Sequence, residues 1–222
     1  MSKDTLRVHS IFKSISGEVG LIPQGAVTVF LRLAGCNMKC DYCDTKHTQS
    51  RQSGKQMSIS SVARQIEDHK CKNLIITGGE PLLQKQAIIK LIDYFSDEDF
   101  NIQIETNGTK NINWFCKTIV PCFVVDFKLK AGAAYDKEFG ARIMSYIHLY
   151  DWIKFVCEDL SDYKKARKLF HKWDKQYSGH LRMAFSAVNS DWFSSKELAK
   201  LMVADNLRAV LNVQIHKLID AE

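Results

Sequence analysis

The chain runs to 222 residues, 45% of them hydrophobic and 25% charged, with a net charge of +6. That balance can bury a sizeable core, so it describes one globular domain over residues 1–222 and excludes a disordered chain. No run of about 18 apolar residues occurs, and the opening MSKDTLRVHS lacks the apolar stretch of an export signal; the expectation is a cytoplasmic protein with no membrane partner. The basic excess is not interleaved with aromatic residues, which argues against nucleic acid as a partner. It suits solubility, an anionic substrate or an acidic partner.

Along the chain, short apolar segments alternate with segments of helical period. A first strand is predicted at 27–33, others at 73–77, 101–105, 122–127, 152–156 and 181–185, and a further apolar run lies at 209–215. Between them, 59–70 carries Val62 and Ile66 on one helical face, and 81–95 opens with Pro81 at a first helical position, where a missing N–H costs nothing. After Ser161, an apolar stripe of Tyr163, Ala166, Leu169, Phe170 and Trp173 is flanked by Lys164, Lys165, Arg167 and Lys168. Ser194 and Glu197 form the S-x-x-E capping box of a last helix. Irregular insertions are expected at 13–24, in a cysteine-bearing loop from 36, and at 130–139. Strand–helix alternation at this spacing implies right-handed crossovers and a parallel sheet. Fewer units than the eight of a closed barrel predict a partial, incomplete parallel β/α barrel.

The stretch CNMKCDYCDTKHT poses a counting problem. Cys36, Cys40 and Cys43 fall within eight residues, close enough for one metal centre, straight after the 27–33 strand. In parallel α/β folds the carboxyl end of a strand carries the chemistry. In a chain without an export signal, seven cysteines favour metal ligation or buried thiols over disulfides. Three thiolates leave one coordination position open. A structural zinc would borrow a fourth ligand, with His47 nearest, whereas an iron–sulfur cube can be anchored by three cysteines while its fourth iron stays open. C-x3-C-x2-C is not the paired C-x2-C of zinc ribbons, but both readings stand on the cysteines alone. Cys71, Cys116, Cys122 and Cys157 read as buried small hydrophobes or idle thiols. His9, His69, His148, His171 and His180 read as isolated structural histidines.

TGGEP at 77–81 follows the next strand, and its glycines would let backbone approach a ligand closely. Together with the cysteine loop it resembles the radical S-adenosylmethionine superfamily. Within that superfamily, FKSISGE (12–18), FLRLAGCNMKCDYCDTKHT (30–48), ETNGT (105–109) and QIHK (214–217) resemble the 7-carboxy-7-deazaguanine synthases, in order and over almost the whole chain. The resemblance implies a lyase of queuosine biosynthesis that converts 6-carboxy-5,6,7,8-tetrahydropterin to 7-carboxy-7-deazaguanine with loss of ammonia. It implies a 4Fe-4S cluster on Cys36, Cys40 and Cys43, whose open iron is chelated by S-adenosylmethionine and whose electron splits that molecule into methionine and a deoxyadenosyl radical. Thr45 is implied as a magnesium ligand. Ile15, Ser16, Gly17, Arg32 and Thr77 are implied as substrate contacts, with Arg32 offering a fork to the carboxylate. Gly79, Asp126, Phe127 and Lys128 are implied as cofactor contacts, Glu105 near the ribose, and Gln214, His216 and Lys217 as a cover over the pocket.

The chain departs from the family pattern at three places. Ser16 stands where glutamine is usual, Val19 where glycine is expected, and Asp126-Phe127-Lys128 where Ser-Pro-Lys is common. The family habit implies a homodimer. The basic face around Lys164, Lys165, Arg167 and Lys168 suggests docking of an acidic, flavodoxin-like electron donor. Two other readings use some of the same residues. A glycyl-radical activase would share the cysteine loop, GGE and a VDFKLK-like segment (125–130), and a non-catalytic zinc module would use the thiols alone. Neither accounts for the Phe12 leader together with Cys43-Asp44-Thr45.

Overall fold

Two strands that simple periodicity does not predict form one edge of the sheet. The computed structural model describes residues 4–113, 119–190 and 193–220, so Cys116 lies outside the described residues. β1 (Thr5–Ile15) pairs antiparallel with β2 (Val27–Leu33) on one side and with β3 (Lys55–Ser58) on the other. The register of β1 against β2 slips between Val8 and Ser10. Such a bulge breaks the alternation by which a strand is recognised, and the segment expected as an irregular insertion from residue 13 is strand as far as Ile15.

From β3 the chain continues through α1 (Ile59–Asp68), β4 (Asn73–Gly78), a 3-10 turn (Pro81–Gln84), α2 (Lys85–Tyr94), β5 (Asn101–Thr106) and β6 (Cys122–Lys128). α3 (Ala133–Phe139) runs into a π-turn (Gly140–Met144), then come β7 (Trp152–Cys157), α4 (Leu160–Gln176), β8 (Arg182–Ala187), α5 (Ser195–Ala204), β9 (Val210–Asn212) and α6 (Ile215–Leu218). The 130–139 insertion is therefore largely helical, and the last strand stops at Asn212 because Ile215 already opens α6. Helix starts follow local chemistry. Ser58, Asp159 and Ser194 accept hydrogen bonds from the first turns of α1, α4 and α5, and Ser194 with Glu197 forms the full capping box.

The sheet order is β3-β1-β2-β4-β5-β6-β7-β8-β9, with every pair from β2 to β9 parallel. This is the partial parallel barrel that the alternation predicts, extended by two antiparallel strands. Along each strand the residues alternate between two environments. One row, including Leu31, Ile76, Ile104, Phe127, Phe155 and Phe185, is buried beneath the helices. The other row, facing the concave side, carries Arg32, Thr77, Glu105, Asp126, Lys128 and Lys154. The open side between the first and last strands is bridged by residues 16–25. Val19 N donates to Asn212 Oδ1 at 2.8 Å, Gln24 Nε2 to Val213 O at 2.7 Å, and Ile215 N to Gly17 O at 3.1 Å. This strap joins β1 to β9 without a strand ladder.

α4 keeps Tyr163, Ala166, Phe170 and Trp173 of its apolar stripe buried and Leu169 half-buried, but two of its four flanking basic residues already have partners. Lys165 meets Asp136 at 2.8 Å and donates to Leu129 O at 2.6 Å, while Arg167 meets Asp205 at 2.5 Å. The outer row is sealed by aromatics. Phe127 packs edge-on against Phe139 at 4.7 Å and Trp173 at 5.6 Å between centroids. Phe127→Ala is expected to cost about 3–5 kcal/mol of stability, read as a lower midpoint in urea with an unchanged slope.

Candidate active site

The cleft at the carboxyl ends of the parallel strands begins with the loop after β2. Gly35 N donates to Thr48 O at 2.8 Å and Cys36 N to Gln49 O at 3.0 Å, so the loop closes on itself. The exit of β4 holds it from the other side, through Gly79 N to Leu33 O at 2.9 Å and Glu80 N to Gly35 O at 2.8 Å. Only glycine allows that approach. Gly78 sits at φ 135°, where a Cβ would stand 2.1 Å from Leu33 O, and a Cβ on Gly79 would stand 2.3 Å from Gly35 O.

Glu80 locks the bracket. Its buried carboxylate accepts from Leu82 N at 2.9 Å, Thr106 Oγ1 at 2.8 Å and Asn107 N at 2.8 Å. Burial outweighs those hydrogen bonds and raises its pKa. Asn107 reaches on to Asn37 Oδ1 at 3.2 Å, with its amide 3.9 Å from Cys36 Sγ. TGGEP and ETNGT thus act as one clamp around the cysteine loop.

Cys36, Cys40 and Cys43 are half-buried and line one end of the cleft. Burial raises the pKa of Cys36 and Cys40, so their thiolates call for a metal's positive charge. Among the described residues, no three His, Cys, Asp or Glu side chains converge as the ligands of a single ion do. Three thiols lining one cleft suit a polynuclear centre, in which each metal atom takes one thiolate. His47, the fourth ligand a zinc site would need, has its ring 4.9 Å from that of His9 and is not among the cleft-lining residues. Thr45 does line the cleft, its hydroxyl 3.6 Å from Cys43 Sγ.

Beyond the thiols the wall is charged. Arg32 and Thr77 are register partners on β2 and β4. The Arg32 guanidinium lies 5.3 Å from the centroid of Phe12, which stacks on Phe30. Asp126 meets Lys128 at 3.0 Å and Lys154 at 2.9 Å; Lys154 also pairs with Glu18, whose other oxygen accepts from Gln214 Nε2 at 2.7 Å. Glu105 opens onto the cleft but sits deep among these groups. Burial, then the Glu18 carboxylate, push its pKa up to about 7 against the pull of Lys154, with Asp126 adding to the rise and a Thr77 hydrogen bond opposing it. From the C-terminus, the His216 ring covers Gly17 and Lys217 meets Asp44 at 2.9 Å. Burial works against the Asp44 carboxylate, but the hydrogen bond and charge of Lys217 hold its pKa low.

Residues 31–170 match the radical SAM superfamily domain. Over 219 residues the chain is 33% identical to the 7-carboxy-7-deazaguanine synthase of Clostridium acetobutylicum, covering 96% of this chain and 95% of that one. The chain belongs to the 7-carboxy-7-deazaguanine synthase family. The synthase of Methanospirillum hungatei is 31% identical over 214 residues, 96% of this chain and 85% of that one. The crystal structure of QueE from Escherichia coli shares the fold, with a TM-score of 0.67 at 21% identity over 95% of this chain and 94% of that chain. Membership in this family brings a 4Fe-4S cluster and S-adenosylmethionine, and the donor set of three thiols at one end of an open cleft fits them. The matches give no support to the activase or zinc-module readings.

Of the synthase-like positions read from sequence, Ile15, Gly17, Arg32, Cys36, Cys40, Cys43, Thr45, Thr77, Gly79, Asp126 and Lys128 line this one cleft, as do Glu105, Gln214, His216 and Lys217. Ser16 and Phe127 do not. Ser16 is fully buried with its hydroxyl 3.5 Å from Ile22 O, and Phe127 is fully buried in the aromatic cluster. Alternation explains Phe127, which lies between two cleft residues on β6 and turns the other way. Among the described residues, the remaining thiols match the bland reading. Cys122 and Cys157 are buried, and Cys71 donates to Val27 O at 3.3 Å. Tyr42, Glu80 and Lys154 shape the site without any role read from sequence. The available signal was Lys154 itself, a charge between Ile153 and Phe155 in an apolar strand.

Replacing any of Cys36, Cys40 or Cys43 with alanine is expected to abolish the iron–sulfur absorption after anaerobic reconstitution, while Cys71→Ala and Cys122→Ala retain it. Gly79→Ala, which must displace Gly35 backbone, should lower bound iron severalfold at near-native far-ultraviolet circular dichroism. Glu105 takes up a proton more readily folded than unfolded. Its stabilising contribution is therefore complete below the ordinary Glu range near pH 4.5 and is lost as pH rises through about 7. Glu105→Gln is expected to raise the melting temperature at pH 8 and leave it unchanged at pH 5.

Proposed function

We propose that the protein converts 6-carboxy-5,6,7,8-tetrahydropterin to 7-carboxy-7-deazaguanine and ammonia, a redox-neutral ring contraction in queuosine and 7-deazapurine biosynthesis. The observation that carries this reading is one cleft holding the three-thiol loop together with Arg32, Thr77 and Glu105, in a chain whose near-full-length relatives are named for that activity. When bound, the cluster and S-adenosylmethionine supply a carbon radical that takes the hydrogen atom from C6 and returns one after the ring has contracted.

The chain's own groups have separate tasks in this proposal. Cys36, Cys40 and Cys43 hold the cluster. The backbone of Gly79 and the side chains of Asp126 and Lys128 hold S-adenosylmethionine, with Phe127 contributing through backbone alone. Arg32 binds the substrate carboxylate as a fork, while Ile15, Gly17 and the Ser16 backbone face the pterin edge beside Thr77. Thr45 would hold a Mg2+ ion, a hard cation suited to oxygen ligands, whose charge would help position the substrate. As the new ring becomes aromatic, a carbon-bound proton leaves and the departing amine gains one. Glu105, poised near neutrality, is the group placed to carry it.

In this proposal the electron comes from a flavodoxin-like donor, a reading that rests on the basic face of α4 and the net charge, and the enzyme works in the cytoplasm as a homodimer, the last resting on the family resemblance. No helix of the described residues is long and apolar enough to cross a membrane. Because Lys165 and Arg167 have internal partners, charge reversal at Lys164 and Lys168 is the sharper test of donor docking on α4.

Anaerobically reconstituted protein given reductant, S-adenosylmethionine and the carboxytetrahydropterin is expected to release 7-carboxy-7-deazaguanine; cofactor cleavage with no such product would reject the reading. Thr45→Ala should keep the cluster and cofactor binding, lose turnover, and lose the response to added Mg2+, with Thr45→Ser intermediate. Arg32→Ala should instead raise KM at every Mg2+ concentration.

A further inference from the structure

Lys154 stands on β7 in the middle of a parallel sheet and is 5% exposed. Its register neighbours are Asp126 on β6 and Ala184 on β8, so one side offers a carboxylate and the other leaves room. A lone ammonium at this depth would cost several kcal/mol, and it is retained only where carboxylates meet it. Two do so directly. Asp126 belongs to the wall that also bears Lys128, and Glu18 belongs to the strap of residues 16–25.

The two carboxylates lie 108 positions apart in the chain, 126 less 18, and Lys154 joins them. Among the described residues, the other polar contacts of the strap run to β5, to its own ends, to the C-terminal segment and, through the Leu21 backbone, to the Cys122 thiol at the start of β6. Ile22 N donates to Gln103 Oε1 at 3.4 Å, Gly25 N to Ser16 O at 2.8 Å and Val19 N to Asn212 Oδ1 at 2.8 Å. None of these reaches Asp126 or Lys128. Lys154 is therefore the direct charged link between the segment carrying Ile15 and Gly17 and the wall carrying Asp126.

We propose that Lys154 is a positioning residue that fastens the 16–25 strap to the Asp126 wall, and that this tie sets how deeply the substrate sits against the cofactor side of the cleft. The proposal rests on the proposed ring contraction for its catalytic consequence, but the tie itself concerns only the chain. In this proposal Lys154 acts through Glu18 and Asp126 and not on the reacting atoms. Its effect is geometric: radical transfer succeeds only between atoms held near contact, so a strap free to lift leaves cofactor cleavage without product.

The test uses Lys154→Met, which keeps the aliphatic stem, Lys154→Arg, which keeps the charge, and Glu18→Gln, which loosens the same contact from the strap side. Hydrogen exchange in the metal-free protein is read for peptides covering 16–25 and, as an internal control, 27–33. Lys154→Met and Glu18→Gln should speed exchange in the strap by about tenfold while the β2 peptide stays protected, as expected of a local opening; Lys154→Arg should stay close to the unmodified protein. In reconstituted enzyme, deoxyadenosine released per product should rise severalfold in Lys154→Met and return toward the unmodified ratio in Lys154→Arg. Should Lys154→Met fail to fold, Glu18→Gln carries both measurements. Strap exchange unchanged in Glu18→Gln, or a uniform rise over both peptides in folded Lys154→Met, overturns the tie. If the unmodified enzyme makes no product, the ring-contraction reading fails and with it the catalytic consequence, while the exchange result still decides whether Lys154 holds the strap.

Discussion

Charges on the inner row of a parallel sheet cannot be left to water, and here they include Glu105, Asp126, Lys128 and Lys154. Each is tolerable only because another stands within reach: Asp126 between two lysines, Lys154 between two carboxylates. The outer row of the same strands meets the ordinary demand of burial under helices. The two rows divide the labour, one holding the sheet to its helices and the other furnishing a polar cleft. The strap follows from this arrangement, since its Glu18 completes the balance around Lys154 and its backbone bridges the unpaired side of the barrel.

The charge balance also gives Glu105 its character. Burial is the larger cause, and the carboxylates of Glu18 and then Asp126 add to it against the pull of Lys154, so the pKa of Glu105 is pushed up to about 7. An acid of this kind needs no catalytic partner to tune it. Its setting is a by-product of how the neighbouring strands are kept in register, which places Asp126 beside Lys154 and leaves Glu105 one strand away.

Much of this was legible from the chain because the signals were local. Strands with clean apolar runs, such as β2 at Val27–Leu33, appear with the expected bounds, and the capping box at Ser194 and Glu197 begins α5. The cysteine spacing and the glycine pair sit at strand exits, where sequence order and spatial order coincide. What escaped were contacts between distant segments. Lys154 gains its meaning from Glu18 and Asp126, and Glu80 gains its own from Thr106 and Asn107. β1 was hidden by its bulge, and the α4 face looked more basic than it is because Asp136 and Asp205 lie far off in sequence. The tripeptide motif put Phe127 among the cofactor contacts, and strand alternation adds that its ring turns toward the core, leaving only its backbone to the cleft side.

The cysteine loop is stitched by backbone on both flanks, to its own far end through Thr48 and Gln49 and to the β4 exit through Gly79 and Glu80. None of those bonds involves a sulfur atom. In a small zinc-dependent fold, ligand loss and unfolding are one event; here the receptacle is built from amides and belongs to the sheet. A cluster stripped by oxygen would leave behind a standing socket rather than a collapsed chain. Refilling such a socket would call for iron and sulfide but not for refolding of the chain around them.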